Sequence, residues 1–384
     1  MIKTQPSLLL TVAVNELLSQ CELPATLSIE FCASSLAMSM TSFRRKLAKE
    51  DTSFKLIQGK FLNELCVEAL LTQQSNIEDL AIKLGYSERA TFERAFRQKF
   101  GITPSQFREL SPAGSTDSHY EKLTSIAKNM PPMPSSCRQL IEEKDQGRLN
   151  LQRVIEIIGH DAIFSARILG QASKAIYGKT PKNLLEAISR NLGIGSVVNF
   201  AIVYAMKDAL QEHVEQWIIE RYTEAFLIAP KIFQQVRKSL ASKIKFDIAL
   251  TEQVLVFALL GVFLLSHKST YNHELMLYSL RGVDDLDSLN RHMRKSMGIS
   301  IFSSSSLMLS LWHIDASLVK QLNHLEKVSQ LKVLGSIQDE LVLFMLSCLY
   351  FSAARYDDFS QLEQKAELLH LCDFDEIKKL LIKE

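Results

Sequence analysis

The sequence predicts an all-α protein: an N-terminal double helix-turn-helix domain whose two units are joined by a linker helix, followed by a larger helical bundle. Three observations predict it. Of 384 residues, 47% are apolar while Gly (14) and Pro (9) are sparse, and Leu, Ala, Glu, Lys and Gln recur throughout, as in helical globular proteins. Apolar residues return with a helical period and no convincing strand alternation interrupts them. The first hundred residues also contain an internal repeat. The length favours two or three domains over one core.

The formal charge of +1 gives no global field toward nucleic acid or an acidic membrane, so any such affinity must come from local clusters. Cys21, Cys32, Cys66, Cys137, Cys348 and Cys372 form no CxxC pair and read as buried thiols of a reducing cytosol. At the N-terminus Lys3 precedes the apolar run "LLLTVAV" (8–14), but no small-residue cleavage site follows, and Asn15, Glu16 and Gln20 continue an amphipathic helix. The run "VLVFALLGVFLL" (254–265) is well short of the roughly 20 residues a spanning helix needs, and is expected as a buried core helix. A cytoplasmic protein without membrane contact is the expectation.

The repeat sets "SIEFCASSLAMS" from Ser28 beside "NIEDLAIKLGYS" from Asn76. Ile29 matches Ile77, Glu30 matches Glu78, Ala33 matches Ala81, Leu36 matches Leu84 and Ser39 matches Ser87. After one added residue, Phe43 matches Phe92, Arg45 matches Arg94 and Leu47 matches Phe96. Each copy reads as helix, tight turn at Ala37 or Gly85, helix, the helix-turn-helix pattern. In the second helices Phe43 and Leu47, and Phe92 and Phe96, are four apart and face inward. That leaves Arg44, Arg45 and Lys49 in one copy, and Arg89, Arg94 and Arg97 in the other, free to meet phosphate or base edges. Between the copies "SFKLIQGKFLNELCVEALLTQ" (53–73) is long enough for a helix of about 30 Å, against roughly 34 Å between successive major-groove faces. Beyond them Thr103 caps a last short helix, with Pro104 at its first position and Gln106 three residues after the cap.

With "LAIKLGYSERATFERAFRQKFGITPSQFREL" and "SMTSFRRKLAKEDTSFKLI", residues 28–110 resemble the DNA-binding domain of the AraC/XylS family of transcription regulators. The resemblance implies that Thr41, Arg44 and Arg45 of the first recognition helix, and Arg89, Ala90, Thr91 and Arg94 of the second, face bases; Arg97 joins them as a DNA-facing cation. Arginine offers bidentate contact to guanine, and the Ala90 and Thr91 methyls suit thymine. Glu88 and Glu93 depart from this logic, since carboxylates repel phosphate unless they accept from a cytosine amine. The family's N-terminal sugar-binding barrel is not expected, so a signal would enter elsewhere.

"LSPAGSTDSHY" (110–120) loses all apolar period and marks a domain boundary; "NMPPMPSS" (129–136) then sets Pro131, Pro132 and Pro134 before the helical "CRQLIEEK". Helical segments follow to the C-terminus, broken at "GKTPKN", "SLASKIKF" and "RGVDDLDS", with "LGIGS" at Leu192 ending a helix. The tail "ELVLFMLSCLYFSAARYDDFSQLEQKAELL" reads as a strongly apolar helix followed by an amphipathic one.

The second module contains His160 followed at once by Asp161, a pair that metal-dependent phosphohydrolases use to hold cations. Its segments "MPPMPSSCRQLIEE", "VIEIIGHDAIFSARILGQASKAIYG", "LLEAISRNLGIGSVVNFAI" and "SSLMLSLWHIDASLVKQLNH" resemble the HDOD domain, a helical signalling module related to HD phosphohydrolases but generally lacking their ligands. Ser173 and Lys174 depart from that pattern. The resemblance implies that the metal-binding doublet would fall in "VFALLGVFLLSH", where Gly261 and Val262 offer no ligand, and that Asp161 opens a helix. His267, His273 and His292 fall in loop-like sequence, and His313 and His324 on a helix pair; surface or locally bonded histidines are expected. GxSxG, HExxH, a P-loop and GxGxxG are missing.

These readings give residues 1–110 as the DNA-binding domain, 111–120 as linker, 121–326 as the HDOD-like domain and 327–384 as a helical extension packed on it. The expected function is a sequence-specific regulator of transcription that binds double-stranded DNA, with no catalytic residue, metal or cofactor. The second module would receive a signalling protein or a small-molecule effector, and a homodimer is compatible with the fold. Two alternatives come from other classes: an HD-type metal-dependent nucleotide phosphohydrolase, and a signalling scaffold.

Overall fold

The computed structural model describes residues 9–50, 52–71, 76–100, 102–109, 135–240, 244–270, 273–283, 285–311, 314 and 316–382. The boundary and linker expected at 111–120, the breaker prolines and His313 lie outside them. Among the described residues every regular element is helical, apart from one isolated bridge between Leu240 and Leu371. The chain divides into two compact units, Met1–Ser111 and Pro112–Glu384.

The first unit runs α1 (Leu10–Gln20), α2 (Ile29–Ser35), α3 (Met40–Lys49), α4 (Phe54–Leu71), α5 (Ile77–Lys83), α6 (Arg89–Phe100) and α7 (Pro104–Glu109). α1 buries Leu10, Val14 and Leu18 at a four-residue spacing, which turns the apolar N-terminal run into one face of an amphipathic helix. They pack with Cys32, Ala33, Phe43, Leu47, Phe54 and Ile57. The free amides at the start of α1 are satisfied from far away in sequence. Glu50 accepts from Leu10 N (2.8 Å), Thr11 N (2.9 Å) and Thr11 Oγ1 (2.6 Å). α4 spans 18 residues, about 27 Å at 1.5 Å per residue. Its Gln58 amide donates to the carbonyls of Pro24 (2.9 Å) and Leu27 (3.0 Å), fixing the short turn ahead of α2.

The second unit runs α8 (Ser135–Asp145), α9 (Leu151–Gly159), α10 (Ala162–Ala172), a short segment Leu184–Glu186 that continues as a π-turn Ala187–Leu192, then α11 (Ile194–Leu210), α12 (Gln216–Ser239), α13 (Ile248–Phe257), α14 (Gly261–Leu265), α15 (His273–Gly282), α16 (Leu286–Met297), α17 (Ile301–Leu311), α18 (Ala316–Ser329), α19 (Ile337–Ala354), α20 (Ser360–Leu368) and α21 (Phe374–Leu381). α12 and α19 pack along one another at its centre, and α17 lies between α14 and α18. Closeness there comes from small residues: Gly261 N donates to Ser305 Oγ (2.7 Å), whose hydroxyl donates to Ala258 O (2.6 Å), and a Cβ at Gly261 would stand 2.1 Å from Ile301 O. Ser300, Ser303, Ser304, Ser305, Ser306 and Ser310 are all buried on or beside α17.

The apolar run 254–265 belongs to a longer stretch than expected. Ile248–Leu265 and Ile337–Ala354 are each 18 residues, long and apolar enough to cross a membrane, but 78% and 72% of them lie inside the unit. The first is interrupted by a turn at residues 258–260, where α13 gives way to α14. The expected division after Glu326 passes through α18, and α19 buries nearly every residue from Leu341 to Phe351, so the C-terminal segment completes the core rather than coating it. Cys32, Cys66, Cys137 and Cys348 are buried as expected, whereas Cys372 is exposed and Cys21 half-buried.

Candidate nucleic-acid interface

Each helix-turn-helix begins with a capped helix. Ser28 accepts from Phe31 N (3.1 Å) at α2, and Asn76 accepts from Asp79 N (2.7 Å) at α5. The turns reverse through left-handed residues, Ala37 at φ 51° and Gly85 at φ 83°. Gly85 is required twice over, since a Cβ there would also stand 2.7 Å from the Ala25 methyl. Ser39 accepts from Ser42 N (3.3 Å) to start α3.

The buried residues orient both second helices. Phe43 and Leu47 hold α3 by 0% and 1% exposed side chains, and Phe92 and Phe96 hold α6. Phe96 stacks on Phe100 (4.3 Å) and meets Phe107 of α7 edge-on (5.5 Å), while α7 is closed by a reciprocal cap in which Thr103 N donates to Gln106 Oε1 and Gln106 N to Thr103 Oγ1. At about 100° per residue, Thr41 and Arg45 of α3 then point about 140° to 180° from the core direction, with Arg44 on the flank. All three are exposed, as are Lys46 and Lys49. In α6, Ala90, Thr91 and Arg94 point out in the same way and are exposed. Gln98, four residues after Arg94, shares their face and is also exposed; it was not singled out in the sequence, although the i, i+4 spacing from Arg94 was there to find it. Gln suits the paired donor and acceptor of adenine.

Arg89 and Arg97 occupy the flank of α6, and they differ. Arg89 Nε donates to Glu93 Oε1 at 2.7 Å, so the carboxylate that seemed an obstacle to phosphate is spent on a cation one turn away. The sequence-expected residues thus form two faces, Thr41, Arg44 and Arg45 on α3 and Ala90, Thr91, Arg94 and Arg97 on α6, with Arg89 held back by its neighbour. α3 is uniformly basic, because Glu50 turns inward to α1 and its carboxyl is held below the usual range, first by the Thr11 hydroxyl.

The His160–Asp161 doublet does other work. Asp161 Oδ1 accepts from Phe164 N (2.9 Å), starting α10, and Oδ2 accepts from Ser136 Oγ (2.8 Å) of α8, while His160 ends α9. Gly261 and Val262 are packed against α17. Among the described residues no group of three or more His, Cys, Asp or Glu is arranged to hold a metal ion. The histidines depart from the loop reading: His273 opens α15 and His292 lies within α16. His267 is buried, stacked on His213 at 5.0 Å, and burial together with the nearby His213 and His273 pushes its pKa down to about 4, which keeps it neutral. His324 Nε2 lies 3.1 Å from Asp339 Oδ2.

Comparison with known proteins places two families on this geometry. Residues 32–110 match the model of a helix-turn-helix domain, and residues 130–328, more than half of the chain, match that of the HDOD domain. An uncharacterized HTH-type transcriptional regulator of Mycobacterium tuberculosis is 33% identical over 75 residues, 20% of this chain and 22% of that protein. The ornithine utilization regulator of Pseudomonas aeruginosa is 32% identical over 81 residues, 21% of this chain and 24% of that protein. This chain therefore spans about a quarter of the length of these curated relatives. Among solved structures, a chain assigned provisionally to signal transduction in Marinobacter aquaeolei superposes with a TM-score of 0.46 at 15% identity, over 75% of this chain and 63% of that one.

Proposed function

This chain belongs to the HDOD family and carries a helix-turn-helix domain ahead of that module, and from this premise we propose that it is a cytoplasmic, sequence-specific DNA-binding regulator of transcription whose HDOD module receives a signal and performs no catalysis. The observation that carries the reading is the pair of second helices, each fixed by two buried apolar residues and each turning exposed arginines away from the core. Thr41 and Arg45 on α3, and Ala90, Thr91, Arg94 and Gln98 on α6, read base edges in the major groove of double-stranded DNA. Arg44, Lys46, Lys49 and Arg97 bind the flanking phosphates, with Arg89 in reserve. A linker helix of about 27 Å suits two heads in neighbouring grooves of one duplex face. On the second unit, a small effector or a signalling partner is the expected input.

The test is selection of genomic fragments on the full-length protein, followed by mobility shift on the enriched site. The expected result is a recurrent sequence with two contacted stretches about one helical turn apart, weakened roughly 5- to 150-fold by R45A or by R94A, as loss of a base-reading arginine worth about 1–3 kcal/mol requires. Failure to enrich any sequence, or binding indifferent to both substitutions, overturns the reading.

A further inference from the structure

The second unit carries a cluster of cations that no family match assigns. Trp217 and Arg221 stand one turn apart on α12, and the Arg221 guanidinium lies 5.1 Å from the centroid of the Trp217 ring. Arg281, in the last turn of α15, brings its guanidinium to 5.5 Å from the same ring. The third member is Arg355, at the C-terminal end of α19, beyond the residues matched by the HDOD model. Trp217 and Arg281 are far apart in sequence and meet at the indole ring, while Arg355 comes from the end of α19, which packs along α12.

Among the described residues no ion pair joins a carboxylate to any of the three arginines, and Glu220, beside Arg221, accepts from Gln216 at 2.6 Å. The charges are close enough to act on one another: burial, then Arg355 and Arg281, lower the pKa of Arg221 below the ordinary guanidinium value. Like charges gathered without a counter-charge lower stability unless something offsets them. Arg355 adds a second cost. Its backbone is left-handed, φ 59° and ψ 47°, at a helix end where glycine would adopt that conformation freely and a side chain pays about 1 kcal/mol.

The geometry points to an oxyanion site in which Arg221 and Arg281, gathered on Trp217, bind the phosphoryl group of a small molecule, with Arg355 at the end of the adjoining α19 as a third cation. Guanidinium forks match phosphate oxygens two at a time, and three of them together favour an anion with more than one charge over a halide or a carboxylate. The phosphoryl group is the recognised chemistry; whether it arrives as a free oligophosphate or on a nucleoside is a question for the two arms of the test.

Trp217 is one of two tryptophans in the chain, the other being Trp312, so it reports on the site. In the full-length protein, equilibrium dialysis with pyrophosphate should show one saturable site, and tryptophan emission should change in step, in the parent and in W312F but not in W217F. A nucleoside diphosphate in the second arm, matched to pyrophosphate in its number of phosphoryl groups, binds more tightly only if the nucleoside adds to phosphate recognition. R281Q and R355Q should each weaken pyrophosphate at least tenfold. R355G should do the same while raising the midpoint of urea unfolding, which separates loss of the ligand from loss of the fold. No saturable pyrophosphate binding, or binding unchanged in R281Q and R355Q, overturns the assignment. No DNA is present in these measurements, so their failure leaves the DNA-binding reading standing.

Discussion

Glu50 shows how one residue is committed twice over by its position. It ends the basic helix α3, where an exposed carboxylate would oppose phosphate, yet its two oxygens face α1 and accept two amides and a hydroxyl. Those bonds favour the ionised form, with the Thr11 hydroxyl contributing most, and they outweigh the opposing effect of burial. A carboxyl whose folded pKa lies below its unfolded value stabilises the fold above about pH 4.3 and loses that contribution as pH falls through the folded pKa. E50Q should therefore unfold about 1 kcal/mol more easily at pH 7, the usual value of a helix cap. The gap should close below about pH 4, read by denaturant titration at a series of pH values. A gap that does not narrow at all as pH falls from 7 through the carboxylate range would mean that Glu50 acts through packing instead. None of this was legible in the sequence, because the partners are some forty residues apart and no period links them. The same holds for Trp217, Arg281 and Arg355. By contrast, the outward direction of Arg45 and Arg94 followed from Phe43, Leu47, Phe92 and Phe96, since a helix fixes every residue's direction once two inward ones are known, while Thr41, Ala90 and Thr91 came from the family resemblance. The pairing of Arg89 with Glu93 lies in plain i, i+4 spacing, but spacing alone does not tell a carboxylate that repels phosphate from one that neutralises a cation.

Among the elements, the repeat was the most legible because its two copies repeat both the inward apolar residues and the turn, and the turn demands a left-handed residue in each. The close approach at Gly261 in the apolar stretch 248–265 was not, because the residues that permit it lie on another helix. Gly261 lets α14 approach α17 until its amide reaches Ser305 Oγ, and the small serines of α17 are what make the approach possible. A methyl there would meet Ile301 O at 2.1 Å, Ser304 Cβ at 2.8 Å and Ser305 N at 2.9 Å, two of them backbone atoms that cannot swing aside. G261A should thus destabilise the second unit by about 3 kcal/mol or more, as overpacking without relief does. Gly59, in α4 with nothing within 4 Å of its Cβ position, is the matched control. G59A should raise stability by about 0.5–1 kcal/mol through helix propensity. Urea unfolding of the two full-length variants checks both signs, and equal effects would show that close approach at Gly261 does not govern the packing.

At the scale of the whole molecule, charge has to be counted where it can act. The first unit holds thirteen Lys and Arg against twelve Asp and Glu, and the remainder of the chain is balanced, so long-range attraction to DNA is weak. What remains is local. Arg44, Arg45, Lys46 and Lys49 on α3, with Arg94 and Arg97 on α6, are exposed cations with no ion pair to a carboxylate among the described residues, whereas Arg89 is held by Glu93. With Arg44, Lys46, Lys49 and Arg97 on phosphate, the logarithm of affinity falls with the logarithm of salt at a slope of about −3.6, at roughly −0.9 per contact. E93Q removes the carboxylate that holds Arg89 and should steepen the slope by about one while raising affinity for unrelated sequences at low salt. R281Q and R355Q, in a unit assigned a different anion, should leave the slope where it was. Fluorescence anisotropy with a labelled duplex from 50 to 300 mM salt measures all three. A slope that flattens in R281Q or R355Q would mean that the second unit also touches DNA, and would merge two anion sites that the present assignment keeps apart.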